Sequence, residues 1–477
     1  MENEIVLSLP KPLILDKHSH YGGKYRSNDI YWGIGIEREF YLQSSKVKTV
    51  SRKWINDNQR PERYSVRYFQ SYKSGDEVKK AINNIYGPND SIDLPILLNS
   101  HALYRVDCKG NHQTTYERVP KPNPAHNGKV LFEYLMEHNN GRNFFVNNYE
   151  RGIVFDGDSI EIITQNFYRV CAEDAVDELQ GLCNNFISEA NKALGAAKVM
   201  AEHLPLRWAT ANHGLAVMWT NPGNVSIFNN GTYHINLTAP TRLDGQGRIL
   251  DRPAFIRRHK KIIRFFQWIE PLLICNYGSG DIFGRRSGGF SGGSLRCAMS
   301  RYIGVGTYDT DTMTNGKAAT VRRSEVPVGG HDGWYTLYHS NSQYVELEEL
   351  GLDILFNKHY NHGIELRVFD WFPENQLYAL LRILILSMDQ ALSLPDIPDP
   401  RKNRIWNKVT ARAISEGGRL KLWNQERTEF AKALGLQIKG FEIKEIWTSF
   451  SKLLERWAGR GECAQRMLRP QPGCCTG

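Results

Sequence analysis

Apolar and polar residues alternate along GIGIEREF, residues 33 to 40, and a period of two is the pattern of a strand with one buried face. The alternation returns in GIVFDGDSIEIIT at 152 to 164, where two β-rich arms flank the turn residues Asp156, Gly157 and Asp158 and predict a hairpin. VSIF and TYHINLT, within 225 to 238 and separated by NNGT, predict a second strand pair, and HGIELRVFDW at 362 to 371 predicts a further strand.

A helical period takes over elsewhere. Val176, Leu179, Cys183, Phe186, Ala190 and Leu194 form one stripe of a helix expected over about 168 to 197, and Ile262, Phe266, Ile269 and Leu273 one of a helix over about 253 to 275. Pro373 and Glu374 open an apolar helix reaching Leu394. From Pro400 onward the chain reads as helical, with Ile443, Ile446, Phe450, Leu453 and Trp457 as its last stripe. Residues 45 to 130 mix helix-like stretches with loop signals such as KPNPAHNGK. The Gly- and Ser-rich stretch 278 to 293 is irregular chain whose Arg285 and Arg286 make it a candidate lid over anionic ligands.

No fixed-period repeat is visible. Strands and helices come in blocks with hairpins between strands, which predicts an α+β fold: a curved, largely antiparallel sheet covered by helices, with a helical C-terminal region. The expected division is an N-terminal segment 1–25, a principal domain 26–399, helices over 400–459 and a disordered tail 460–477.

Composition narrows the class. With 477 residues and 41% apolar content the chain is long enough for one large core or several ordinary ones. The opening MENEIVLSLPKPLILDKH has no secretory pattern, and the longest apolar run, LYALLRILILSM, is broken by Arg382 and too short for a bilayer, so a soluble, cytoplasmic protein is expected. Eight cysteines without a CxxC spacing argue against a disulfide framework. Cys171 and Cys183 read as core residues of one helix. Cys474 stands at the spacing of a prenylation signal, but Gly477 is an unusual last residue for one. The net charge of +9 favours anionic partners without choosing among them, and the run RRHKKIIR at 257 to 264 reads as a solvated helix face.

The candidate chemistry sits on the strands. Glu37 and Glu39, two apart, point to one face about 7 Å apart along the backbone. Two such carboxylates repel unless a cation lies between them or one stays protonated. Glu161, the pair His234 and Asn236, and the pair Glu365 and Arg367 repeat the arrangement on other strand segments, with Ile36, Ile235 and Leu366 pointing the opposite way. Side by side, these strands would make a carboxylate-rich floor, costly to bury unless divalent metal compensates it. Mg²⁺ or Mn²⁺ is the natural ion, with a nucleotide completing its coordination and Arg367 offering a fork for phosphate oxygens. His213, His331 and His339 show no partner and read as surface or core histidines.

The order E-x-E, DGDSIEIIT, HIN, IELR resembles the glutamine synthetase and glutamate-cysteine ligase superfamily, especially its amidoligase branch. The resemblance runs through four short islands between about residues 30 and 375. It implies that 26–399 is an amidoligase-like catalytic domain. Glu37 and Glu39 would divide between two metals, with Glu161 joining Glu39, and His234 and Glu365 holding the nucleotide-side ion. Asn236 stands where the family often has a second histidine, beside the nucleotide, and Arg367 matches the arginine that grips the transferred phosphoryl group. Arg296 and Arg301, in SLRCAMSRYIGVG, fall where the family often has arginines for substrate carboxylate or phosphate. The implied activity is ATP-dependent joining of a carboxylate to an amine through an acyl-phosphate, with ATP, Mg²⁺, an acid and an amine as partners and no membrane.

Two other readings stand beside it. A guanidino-kinase-type phosphotransferase would use a similar sheet but generally lacks this glutamate pattern. A basic nucleic-acid-binding protein would treat the acidic cluster as structural, and its binding would weaken steeply with salt.

Overall fold

Strand β1, Ile30–Phe40, sits at the centre of the architecture. Ile34 and Ile36 are fully buried on one face, while Gly33, Gly35, Glu37 and Glu39 share the other by alternation. The computed structural model describes residues 30–46, 49–51, 93–98, 152–156, 159–169, 172–198, 201–210, 214–218, 221–228, 231–245, 248–280, 292–294, 297, 308–311, 314–315 and 363–458.

After β1 come β2 (Leu42–Ser44), β3 (Thr49–Ser51), β4 (Asp93–Leu98), the hairpin β5 (Ile153–Asp156) and β6 (Ser159–Ile163), and β7 (Tyr168–Arg169). Helix α1 (Glu173–Ala196) is followed by β8 (Leu206–Trp208), β9 (Gly214–Met218), β10 (Asn221–Phe228) and β11 (Tyr233–Arg242). Helix α2 (Arg252–Tyr277), the small pair β12 (Tyr308–Asp309) and β13 (Thr314–Asn315), and β14 (Ile364–Phe369) lead into α3 (Leu377–Ser393), α4 (Arg404–Glu416), α5 (Asn424–Leu434) and α6 (Ile443–Ala458). The fold is α+β with a helical C-terminal region, as the blockwise pattern predicts.

The principal sheet has the order β14-β11-β1-β6-β5, with β7 also on β1. All its pairings are antiparallel. A second sheet, β10-β9-β4-β2-β8 with β3 on β4, contains one parallel pair, β4 with β9. The sequence pattern did not announce this sheet, much of which comes from the 45 to 130 region and from β9.

Helix α1 packs on β1 and β6, and its predicted stripe, Val176, Leu179, Cys183, Phe186, Ala190 and Leu194, is buried. Each large side chain fully buried this way contributes about 1.5–3 kcal/mol. The helix starts at Glu173 and not near 168, because Tyr168 and Arg169 extend the sheet opposite Gly33 and Trp32. Cys171 lies outside the described residues. Helix α2 runs through the middle of the helical layer against β11, β14, α3 and α4. It is buried on more sides than its four-residue stripe implied, down to His259 and Gln267. His259 is a satisfied core histidine, with Nε2 accepting from Ala239 N at 3.0 Å and Nδ1 2.8 Å from the Phe255 carbonyl. In α6 the buried positions are Ile443, Ile446, Phe450 and Leu454, and Leu453 is only partly buried. The Trp457 side chain lies outside the described ones. One apolar core runs from Trp32 to Leu454, so the C-terminal helices share it with the sheet. Among the described residues no helix is long and apolar enough to cross a membrane.

The expected strand pair around NNGT does not form. β10 pairs with β9 in the second sheet, while β11 pairs with β1 and β14 in the first. The turn residue Gly231, at φ +102°, is pressed against the backbone of β1, where Thr232 O accepts from Glu39 N at 2.9 Å. That contact directs β11 onto β1 rather than back along β10.

Candidate metal centre

Register places the polar strand residues opposite one another. Across β1 and β11, Glu37 faces His234 and Gly35 faces Asn236, across β1 and β6 Glu39 faces Glu161, and across β11 and β14 Asn236 faces Glu365. Directly paired residues share a sheet face, so four separate sequence islands form one floor.

The contacts are short. His234 Nδ1 is 3.2 Å from Glu37 Oε2 and 3.8 Å from Glu365 Oε1, and its Nε2 is 3.4 Å from Glu39 Oε1. Asn236 Nδ2 donates to Glu37 Oε1 at 3.3 Å, Arg367 Nη1 to Glu365 Oε1 at 3.2 Å, and Thr232 Oγ1 to Glu39 Oε2 at 2.8 Å. Glu37, Glu161, His234 and Glu365 are all at most 9% exposed. Three carboxylates, Glu37, Glu39 and Glu365, therefore lie within 3.8 Å of one imidazole, Glu365 also meets a guanidinium, and Glu161 is paired opposite Glu39. In so buried a place uncompensated charge costs several kcal/mol each on order-of-magnitude grounds.

Glu37, His234 and Glu365 each offer a ligand atom, and these atoms lie within 4.8 Å of one another. Ligands of a single ion bound at 2.0–2.6 Å stand about 3 to 5 Å apart, so the trio fits a divalent ion with little movement. Two carboxylates and an imidazole form a mixed oxygen and nitrogen donor set that a divalent ion can accept, the carboxylates suiting Mg²⁺ or Mn²⁺ and the imidazole Zn²⁺ or Fe²⁺. Glu39 and Glu161, paired beside them, extend the acidic surface without joining that tightest group. Arg296 and Arg301 lie outside the described residues, as do Arg285, Arg286, His213, His331 and His339.

The far end of the floor is closed by Phe167. Its backbone carbonyl accepts from Ile34 N at 2.8 Å, and a Cβ on Gly33 would stand 2.5 Å from its ring and from Thr238 Cβ. The glycines of GIGIE therefore leave room for an aromatic ring where the glutamates end.

Three residues that the sequence pattern passed over matter here. Thr232 orients Glu39. Asp370, just past β14, accepts from Ser279 N at 3.0 Å and Ser294 Oγ at 2.5 Å, which ties the end of α2 and residue 294 to the ligand-bearing strand. Arg38, between the two glutamates, points to the opposite face and is buried against α1. Its Nη1 lies 2.5 Å from Glu374 Oε2 and 3.7 Å from Cys183 Sγ, and its Cζ is 5.6, 5.7 and 5.8 Å from the ring centroids of Tyr233, Trp208 and Phe40. Burial opposes its charge, but the ionisable Tyr233, Cys183 and Glu374 around it outweigh that, and the net effect raises its pKa. A charged residue at a core-phase position of β1 was the signal available in the sequence.

Burial pushes the Cys183 thiol up to about 11 despite the lowering pull of Arg38. At pH 8 it is expected to resist iodoacetamide until the protein unfolds, because the thiolate is the nucleophile. Alkylation followed by mass spectrometry along a urea series checks this: label appearing on Cys183 well before the unfolding transition would contradict its placement under β1.

Fold and site together define an α+β protein with a buried, glutamate-rich floor on an antiparallel sheet. The chain is 36% identical over 468 residues to "Uncharacterized protein R704" of Acanthamoeba polyphaga mimivirus, covering 97% of this chain and 81% of that protein. It belongs to the same family as that viral protein. No protein-family profile and no solved structure matches it.

Proposed function

We propose that the protein is an ATP- and Mg²⁺-dependent carboxylate-amine ligase of the amidoligase type. The observation that carries this reading is the meeting of Glu37, His234 and Glu365 within 4.8 Å on one sheet face, with Glu39 and Glu161 paired next to them. Arg367 stands beside Glu365 on the same strand. That is the arrangement the sequence resemblance implies, and a purely structural acidic cluster gives no reason to bury it.

In this reading the substrate carboxylate takes the γ-phosphoryl group of ATP, giving an acyl-phosphate and ADP. The amine then attacks the acyl carbon, and phosphate and a proton leave. Glu37, His234 and Glu365 would hold one divalent ion, and Glu39 with Glu161 another. Bound metal supplies charge neutralisation for the phosphoryl oxygens. Arg367 would add a planar donor pair to the same oxygens, Asn236 holds Glu37 in place, and Thr232 holds Glu39. The surplus of carboxylates also favours a cationic or neutral amine near Glu161 over a second anion.

ATP with Mg²⁺ is expected to raise the melting temperature, since a ligand at a hundredfold excess over its dissociation constant stabilises the folded state by ~2.7 kcal/mol. EDTA should remove the shift. Thermal denaturation with ATP alone, Mg²⁺ alone and both decides the point, and equal stabilisation by ATP without metal would sink the metal floor. Phosphate release over a panel of amino acids, peptides and polyamines then identifies the acid and the amine. A nucleic-acid-binding protein would release none, and a guanidino kinase would give a phosphoguanidine without an amide.

A further inference from the structure

We propose that Arg38 is a positioning residue that sets the metal affinity of the floor from the reverse side of β1, balanced by Glu374. The inference rests on the metal-binding reading of Glu37, His234 and Glu365.

Its basis is the placement of one buried cation. Arg38 lies between Glu37 and Glu39 in the chain, so its guanidinium occupies the opposite side of the same strand from those two carboxylates. The surroundings are apolar: Phe40, Trp208 and Tyr233 ring it, and Cys183 is 2% exposed. Little water lies there to screen the charge, and its field reaches through the sheet to the floor. Its carboxylate partner is Glu374, at the start of the turn before α3, whose side chain is 29% exposed against 7% for Arg38. The two charges of the pair are therefore unequally screened, and the arginine dominates at the floor. A positive charge there stabilises the carboxylates in the absence of an ion and weakens the binding of a divalent cation, which lets metal and nucleotide leave after turnover.

A strut and a counter-charge predict different signs. If the ion pair only braces β1, removing either partner loosens the ligands and weakens metal binding. If Arg38 acts by its charge, Arg38→Met should tighten Mn²⁺ binding about tenfold, whereas Glu374→Gln should weaken it several-fold. Arg38→Lys, which keeps the charge, should stay near wild type.

The experiment is titration of the full-length protein and each variant with Mn²⁺, counting free ion by its six-line electron paramagnetic resonance signal, with circular dichroism confirming the fold. Opposite shifts for Arg38→Met and Glu374→Gln support the inference. Weakening in both, or no change in either, overturns it while leaving the metal reading intact. A wild-type chain without saturable Mn²⁺ binding overturns the metal reading itself, and this inference with it. Should Arg38→Met fail to fold, Arg38→Lys decides with Glu374→Gln. Unchanged affinity in the lysine variant, with weaker binding but an unaltered bound-Mn²⁺ spectrum in the glutamine variant, supports the charge role. Equal loss in both overturns it.

Discussion

Replacing Arg367 with Lys is expected to slow amide formation by about 10²- to 10³-fold, the usual cost of losing one preorganised donor to developing charge, while ATP affinity changes only a few-fold. Arg367 already spends one N–H on Glu365 Oε1 at 3.2 Å. A guanidinium has further donors in the same plane for a phosphoryl oxygen, whereas an ammonium that keeps the Glu365 contact cannot present a second donor in a fixed fork. The loss should fall on turnover, because these contacts strengthen as charge develops on the transferring group. Glu161→Gln, which removes a negative charge opposite Glu39 without changing shape, should likewise suppress ligation and leave the fold intact. Single-turnover amide formation measured beside ATP titration separates chemistry from binding. Unchanged amide formation in both variants would remove the ligase assignment and favour a binding protein.

Gly231→Ala is expected to be severely destabilising, with the closest backbone clash among the described glycines. A Cβ there would stand 1.7 Å from Glu39 O and 2.9 Å from Phe40 Cα, and the residue's φ of +102° is one that L side chains rarely adopt. Neither obstacle is a movable side-chain end, so the turn or β1 must shift, at a cost of about 4 kcal/mol or more. The shift would also break the contact of Thr232 O with Glu39 N and carry Glu39 out of line with His234. Gly181 in α1 is the matched control. Nothing lies within 4 Å of a Cβ there, so Gly181→Ala should stabilise by roughly 0.5–1 kcal/mol through helix propensity. Urea denaturation of both variants gives the comparison, and a Gly231→Ala protein as stable as wild type would mean that the turn does not rest on β1.

Much of this protein is legible in its sequence because the responsible forces are local. Alternation in GIGIEREF and IELRVF assigned strands and divided their faces, since the side-chain period of a strand is fixed by backbone geometry. The stripe from Val176 to Leu194 marked α1 for the same reason. Two-residue spacing was enough to name Glu37, Glu39, His234, Asn236, Glu365 and Arg367 as same-face groups, and Glu161 followed from the hairpin beside them.

What the tertiary structure alone decided is which strands become neighbours. NNGT reads as a hairpin turn, yet β10 and β11 join different sheets because Gly231 packs on a strand nearly 200 positions earlier, a contact no local pattern encodes. The 3.2 Å approach of His234 to Glu37 and the pairing of Asn236 with Glu365 depend on that choice. The same is true of Arg38, whose phase in β1 puts it on the core side but whose enclosure by α1, β8 and Glu374 comes only with the fold. Composition and period set which residues each element can bury; long-range register sets what those buried residues meet, and so creates the acidic floor.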